Sequence, residues 1–182
     1  MRFGAPVVER WAFSMKEEEF ARLREHVARG RCHDVTSVIV RGDEVAVIRK
    51  PGYPAEAYRT PSGGIHPEES FFDGARREAW EETGLEVEFE DYLLQVHASF
   101  SHAGEEAAWT THVLRARPVG GTIDPVDRTE IESARWVTWS ELLERVNPRL
   151  VSSGLGGLAY RARLHERTHE ILVASGKMQG RG

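Results

Sequence analysis

Residues 63–87 read GGIHPEESFFDGARREAWEETGLEV, and within them Glu78, Glu81 and Glu82 stand three and four positions apart. The stretch has helix boundaries. Ser70 is a natural N-cap with Asp73 three residues on as a variant capping box, and Gly84 sits where a C′ glycine ends a helix. At about 100° per residue the three carboxylates share an arc of roughly 100°. Phe72, Ala75 and Ala79 supply the apolar face that ties the helix down. Like charges one turn apart destabilise a helix by a few tenths of a kcal/mol, so this face asks for a counterion. A hard divalent cation such as Mg²⁺ or Mn²⁺ takes oxygen ligands and removes the repulsion. The competing reading is a solvated acidic face. Against it, Arg76 and Arg77 stand beside the acids, and Thr60–Gly64 (TPSGG) forms a loop whose backbone at Ser62, Gly63 and Gly64 comes close to a metal or phosphate.

On either side of this helix the pattern is that of strands. DVTSVIV and EVAVIRK are β-branched runs joined by RGDE, a hairpin, and AYRTPSGG reads as a short strand ending in a loop. Downstream, YLLQVHASFSH and AAWTTHVLRARP flank AGEE. The long loop GGTIDPVDRTE then leads to the strand ARWVTW, in which Trp136 reads as core. Ser140 opens a helix that Pro148 ends, and LAYRARLHERTHEILVAS makes a final helix. Near the start, Ser14 caps a helix stopped by Gly30, while residues 1–13 show no period. The fold class is α/β, a mixed sheet between helices, with residues 1–32 as an N-terminal extension, 33–146 as the core and 147–182 as a C-terminal helical extension.

Composition narrows the functional classes. With 182 residues, a formal charge of −5 and a pI near 5.9, the chain lacks the basic footprint of a duplex nucleic-acid binder. The single cysteine, Cys32, excludes an intrachain disulfide and argues against a cysteine-based zinc site. No membrane span and no signal-peptide core are legible, so a cytoplasmic location is expected. Either terminal helix offers a surface for a homodimer.

The 63–85 stretch resembles the signature of the Nudix hydrolases: Gly, five residues, Glu, seven residues, Arg-Glu-apolar-any-Glu-Glu-any-Gly-apolar. Gly63, Glu69, Arg77, Glu78, Ala79, Glu81, Glu82, Gly84 and Leu85 fill its nine positions, Ala79 being small for its slot. On average residue usage a chance match in this chain is on the order of one in ten million, so the signal is specific. The resemblance implies a Nudix-type α/β/α sandwich and Mg²⁺-dependent hydrolysis of the diphosphate linkage in a nucleoside diphosphate joined to a group X. By position it implies Glu78 and Glu82 as metal ligands and Glu81 as a further ligand or as the group orienting a water. It also implies the carbonyl of Ser62 as a ligand, a place where relatives often carry glycine. Arg77 and Glu69 would be a pair that aims Glu78.

Other roles stay open. The family's general base varies between a glutamate of the signature, such as Glu81 or Glu82, and an acid on a downstream loop; of the latter Glu130 is preferred here, with Glu132, Glu105, Glu106 and Asp127 as alternatives. Arg59 stands just before the loop, where it could neutralise phosphate. Trp109, Tyr58 and Phe100 could stack on a base or simply be core. An RNA 5′-end hydrolase would need a basic groove that the sequence does not locate, and two other functions are weighed against hydrolysis. A silent nucleotide sensor should have lost carboxylates of the 63–85 signature (the Nudix box), and none is lost. An isoprenoid diphosphate isomerase would need a cysteine such as Cys32 beside the metals. No marker of a particular nucleotide substrate is found.

Overall fold

The sheet is organised around two long strands, β5 (Leu85–His102) and β6 (Glu105–Gly121), paired antiparallel. Ala103 and Gly104 join them with φ of 49° and 85°, the double positive φ of a tight hairpin turn. Strand β2 (His33–Arg41) runs parallel to β6 and turns at Gly42–Asp43 into β3 (Glu44–Arg49); β7 (Ser133–Thr138) pairs antiparallel with β3. A two-residue strand, β4 (Ser62–Gly63), pairs with β2, and β1 (Val7–Ser14) lies parallel to β5 at the opposite edge. The computed structural model describes residues 3–177; the outermost parts of the two extensions, 1–2 and 178–182, lie outside the described residues.

Helices cover both faces, as the sandwich requires. On one side α2 (Phe71–Thr83) buries Ala75 and Ala79 against Val35, Ile39 and Leu114. On the other, α1 (Glu17–Ala28) and the 19-residue α5 (Gly156–Ala174) bury Phe20, Leu23, Tyr160 and Leu164 with Val38, Val96 and Phe100. Among the described residues no helix is long and apolar enough to cross a membrane.

Several boundaries differ from the sequence reading, each for a local reason. The N-terminal extension is not only a helix, because its aperiodic start is strand β1. Ser14 closes that strand, and α1 begins instead after Lys16, whose N–H donates to Glu19 Oε2 at 3.1 Å. The expected strand before the box shrinks to one bridge, Arg59 with Ile48, and β4, because residues 59–64 bend to meet α2. Thr138, not Ser140, caps the next helix, Trp139–Glu141 (α3). Pro148 does not end it: the chain widens into a π turn, Leu142–Val146, and continues as α4 (Asn147–Ser152). Pro148 falls in the first turn of α4, where a missing N–H leaves nothing unpaired. Trp136 is half-buried beneath Arg41, whose guanidinium stacks 4.2 Å from the ring centre.

Candidate metal and phosphate site

The carboxylates of α2 meet residues 59–64 over the open end of β2. Glu82 is 3% exposed. Its Oε2 accepts the Ser62 N–H at 2.6 Å, while Arg59 Nη2 and Lys50 Nζ approach its Oε1 at 3.5 and 3.6 Å. Glu78 lies on the backbone of Gly63, where a Cβ would overlap its carboxylate. Burial pushes the Glu78 carboxyl up, and the charges of Glu82 and Glu81 act the same way against the hydrogen bond from Arg77. That is the repulsion anticipated from the spacing.

Arg77 organises the loop. It donates to both oxygens of Glu69 (Nε at 3.0 Å, Nη2 at 2.6 Å) and from Nη2 to the Gly64 carbonyl at 3.0 Å. Its Nη1 reaches Glu78 at 3.0 Å and Glu81 at 2.9 Å. These bonds from Arg77, with one from the His66 N–H, hold the Glu69 carboxyl down to about 2. The donor set is all hard oxygen, and the crowding of half-buried Glu78 by Glu82 and Glu81, only partly offset by Arg77, fits a divalent cation. Among the described residues no three His, Cys or acidic side chains are grouped as a ready-made metal nest; Arg77 Nη1 lies between Glu78 and Glu81.

The loop before β7 folds over the C-terminal end of α2. The N–H groups of Val126 and Asp127 both donate to the Glu81 carbonyl, and that of Asp124 donates to the Thr83 carbonyl. Asp127 Oδ1 accepts from the Thr129 hydroxyl and from the Thr129 and Glu130 N–H groups, bonds that hold its carboxyl below the usual range. Glu130 is thereby brought to the rim, 3.0 Å from the same Lys50 Nζ that approaches Glu82. Its rivals are engaged elsewhere. Glu132 pairs with Arg49, Glu105 with Arg24, and Glu106 Oε2 accepts from Ser99 Oγ at 3.0 Å.

Arg59, read from the sequence as a phosphate residue, is buried and donates to the Thr60 carbonyl (2.9 Å) and Ser62 Oγ (2.8 Å). Its geometry is that of a brace for the loop. Beside Ser62 opens a cavity of about 520 Å³ whose walls include Phe100 and Trp109, whereas Tyr58 is held by Ser133 and Arg135 away from it. Cys32 is an exposed free thiol and does not line the cavity.

Three contributors were missed in the sequence. Arg31 lies over Gly64, where a Cβ would overlap its guanidinium. Asp34, at the foot of β2, accepts from Arg161 (2.7 Å), Thr111 (2.6 Å) and Trp109 (3.0 Å). Burial opposes its charge, but Arg161 and these bonds outweigh burial and hold the carboxyl low. His165 of α5 accepts the Thr60 N–H on Nε2 at 3.2 Å and donates from Nδ1 to Asn147 Oδ1 at 2.7 Å. Asn147 in turn donates to the Ala162 carbonyl at 3.1 Å, so the C-terminal helix is wired to the loop that carries Ser62. No local spacing marks any of the three; each acts through a neighbour distant in sequence.

The NUDIX domain family profile matches residues 31–153. A MutT-like protein of Streptomyces ambofaciens is 32% identical over 144 residues, covering 75% of this chain and 85% of that protein. An NAD-capped RNA hydrolase, NudC, of Stutzerimonas stutzeri is 31% identical over 99 residues, covering 54% of this chain and 33% of that one. Among solved structures, a NUDIX hydrolase of Nitrosomonas europaea superposes with a TM-score of 0.56 at 21% identity, covering 76% of this chain and 88% of that chain, which shows the common fold. The chain spans only 23% to 33% of the length of several other curated relatives.

Proposed function

This chain belongs to the Nudix hydrolase family, and from that premise we propose that it hydrolyses the diphosphate linkage of a small nucleoside diphosphate derivative with Mg²⁺, or Mn²⁺ in its place. The observation that carries the reading is Glu82: a carboxylate almost fully buried, anchored to the Ser62 N–H and set beside Glu78. Arg59 and Lys50 approach only Glu82 Oε1, at 3.5 and 3.6 Å, and a cation shared among Glu78, Glu81, Glu82 and the Ser62 carbonyl would offset the remaining cost of crowding these carboxylates. When bound, such a cation neutralises phosphate oxygens and makes water a better nucleophile.

The chain's own groups do the rest. Arg77 and Glu69 fix the loop so that Gly63 and Gly64 present backbone to the diphosphate, and Arg59 braces Ser62. Glu130, on the rim beside Lys50, takes the proton as the water oxygen bonds to phosphorus and the bridging oxygen leaves with its phosphate. The core between residues 33 and 146 carries this chemistry, and the extensions shape access to it. The same reading places the enzyme in the cytoplasm, acting on small molecules rather than duplex nucleic acid.

The test is phosphate release from a panel of nucleotides and nucleotide sugars with Mg²⁺, for the wild type and Glu82→Gln. Glutamine keeps an acceptor for the Ser62 N–H and removes only the charge. A fall of at least a hundredfold supports the assignment. Tight, metal-dependent binding of a nucleotide without turnover by the wild type would mean a sensor and sink the hydrolase reading.

A further inference from the structure

The cavity beside Ser62 is closed largely by segments at the two ends of the chain. One wall is α1 and the loop leaving it, with Arg22 and Arg31; the other is α5, with Tyr160 and Arg161. Its two lining carboxylates are already satisfied. Asp34 is held by Arg161, Thr111 and Trp109, and Glu19 accepts the N–H groups of Gly156 (3.1 Å) and Gly157 (3.0 Å) at the start of α5. Of its cations, Lys50, Arg59 and Arg161 are paired with Glu82, Glu130 or Asp34, but two are not. Among the described residues Arg22 and Arg31 form no ion pair, and Arg31 stands over Gly64 at the junction with the carboxylate site. A chain of net charge −5 thus turns two free guanidinium groups onto one wall of one cavity.

A second observation points to a ligand independently. The Tyr160 hydroxyl is buried, at 2% exposure, lines the same cavity and has no hydrogen-bond partner among the described residues. Thr111, whose side chain lies near this hydroxyl, donates to Asp34; it has no proton to give the phenol oxygen and makes no well-formed bond to it. Native structures rarely leave a buried hydroxyl unpaired without a ligand or water to meet it. Rings of Phe100 and Trp109 add flat apolar surface to the same lining.

Building on the hydrolase reading, we infer that this cavity receives the part of the substrate beyond the scissile diphosphate and selects compounds carrying a further phosphate monoester there. Arg22 and Arg31 hold that phosphate as fork-shaped donors, and Tyr160 donates to an oxygen of the buried portion. The selecting residues Arg22, Arg31 and Tyr160 come from the terminal extensions, and of them only Arg31 lies within the family match, at its margin. Closely similar cores with different ends would therefore differ in this preference.

The test uses matched dinucleotides that differ by one phosphate, NADH and NADPH, with the full chain and Mg²⁺. The phosphorylated member should have a kcat/KM at least tenfold higher. The preference should shrink as salt rises, and Arg22→Gln with Arg31→Gln should abolish it. Binding of both compounds to Glu82→Gln, followed by calorimetry, should show the same tenfold gap. Equal kcat/KM for the pair, or a preference that survives the double arginine substitution, overturns the selectivity while leaving hydrolysis standing. A binding gap without turnover by the wild type overturns hydrolysis and supports the cavity. Neither binding nor turnover of either compound overturns both.

Discussion

His165 should make the stability of this protein fall in mild acid, and its replacement should flatten that limb. The ring is 1% exposed, with Nε2 facing the Thr60 N–H and Nδ1 facing Asn147, so there is no acceptor waiting for a second proton. Burial, with the charges of Arg161 and Arg59 beside it, lowers its pKa to about 3. In the unfolded chain it returns to about 6.5. The unfolded state therefore binds one more proton between these values, and stability is lost as pH falls through that window. The slope is about 1.3 kcal/mol per pH unit near pH 5, and the integrated loss between pH 7 and pH 5 is about 2 kcal/mol. In His165→Gln the amide oxygen keeps the Thr60 bond, but Asn147 Oδ1 loses its donor, at a cost of about 1–3 kcal/mol. Urea unfolding of both proteins from pH 7.5 to 5 should show the variant less stable at neutral pH and the gap closing by about 2 kcal/mol on acidification. A gap that stays constant across this range would refute the argument.

Other perturbations separate support from chemistry. Gly63→Ala should cost little stability, because the overlapping atoms are the flexible end of Glu78; activity should drop at least tenfold as that carboxylate is displaced, read by kinetics alongside a melting curve. Glu19→Ala removes the acceptor for two N–H groups at the start of α5 and should destabilise by about 1–2 kcal/mol in denaturant titration. Arg77→Lys retains the charge but cannot reach Glu69, Gly64, Glu78 and Glu81 at once; kcat should fall at least tenfold with the fold intact by circular dichroism.

What could be read from the sequence was what is local. Helix α2, its Ser70 cap and its Gly84 terminus were legible because a cap, a periodic face and a left-handed stop lie within fifteen residues, and the spacing of the three glutamates goes with them. The β2–β3 hairpin was legible for the same reason. Strand β1 was not, because its pairing with β5 is parallel and Val7 meets Leu94, a contact that leaves no local period at an edge. The loop holding Glu130 could be named but not aimed, since its course is set by the end of α2. The roles of Arg59 and His165 were hidden because each depends on what the chain places opposite them. An arginine next to a glycine loop reads as a phosphate ligand until Glu82 and Ser62 are seen to occupy it.

The hydrogen bond from Thr60 to His165 spans 105 positions, and Glu19 is joined to Gly157 across 138. During synthesis, then, the sheet and the glutamate helix can assemble well before the loop that presents Ser62 acquires its backstop. A chain cut after residue 153 would keep every carboxylate that the proposed reaction uses and still leave the Thr60 N–H unpaired and the cavity without its second wall. Such a chain should be folded in its centre and idle. On the proposed reading, competence would then arrive when α5 docks rather than when the residues meant to touch phosphate have formed.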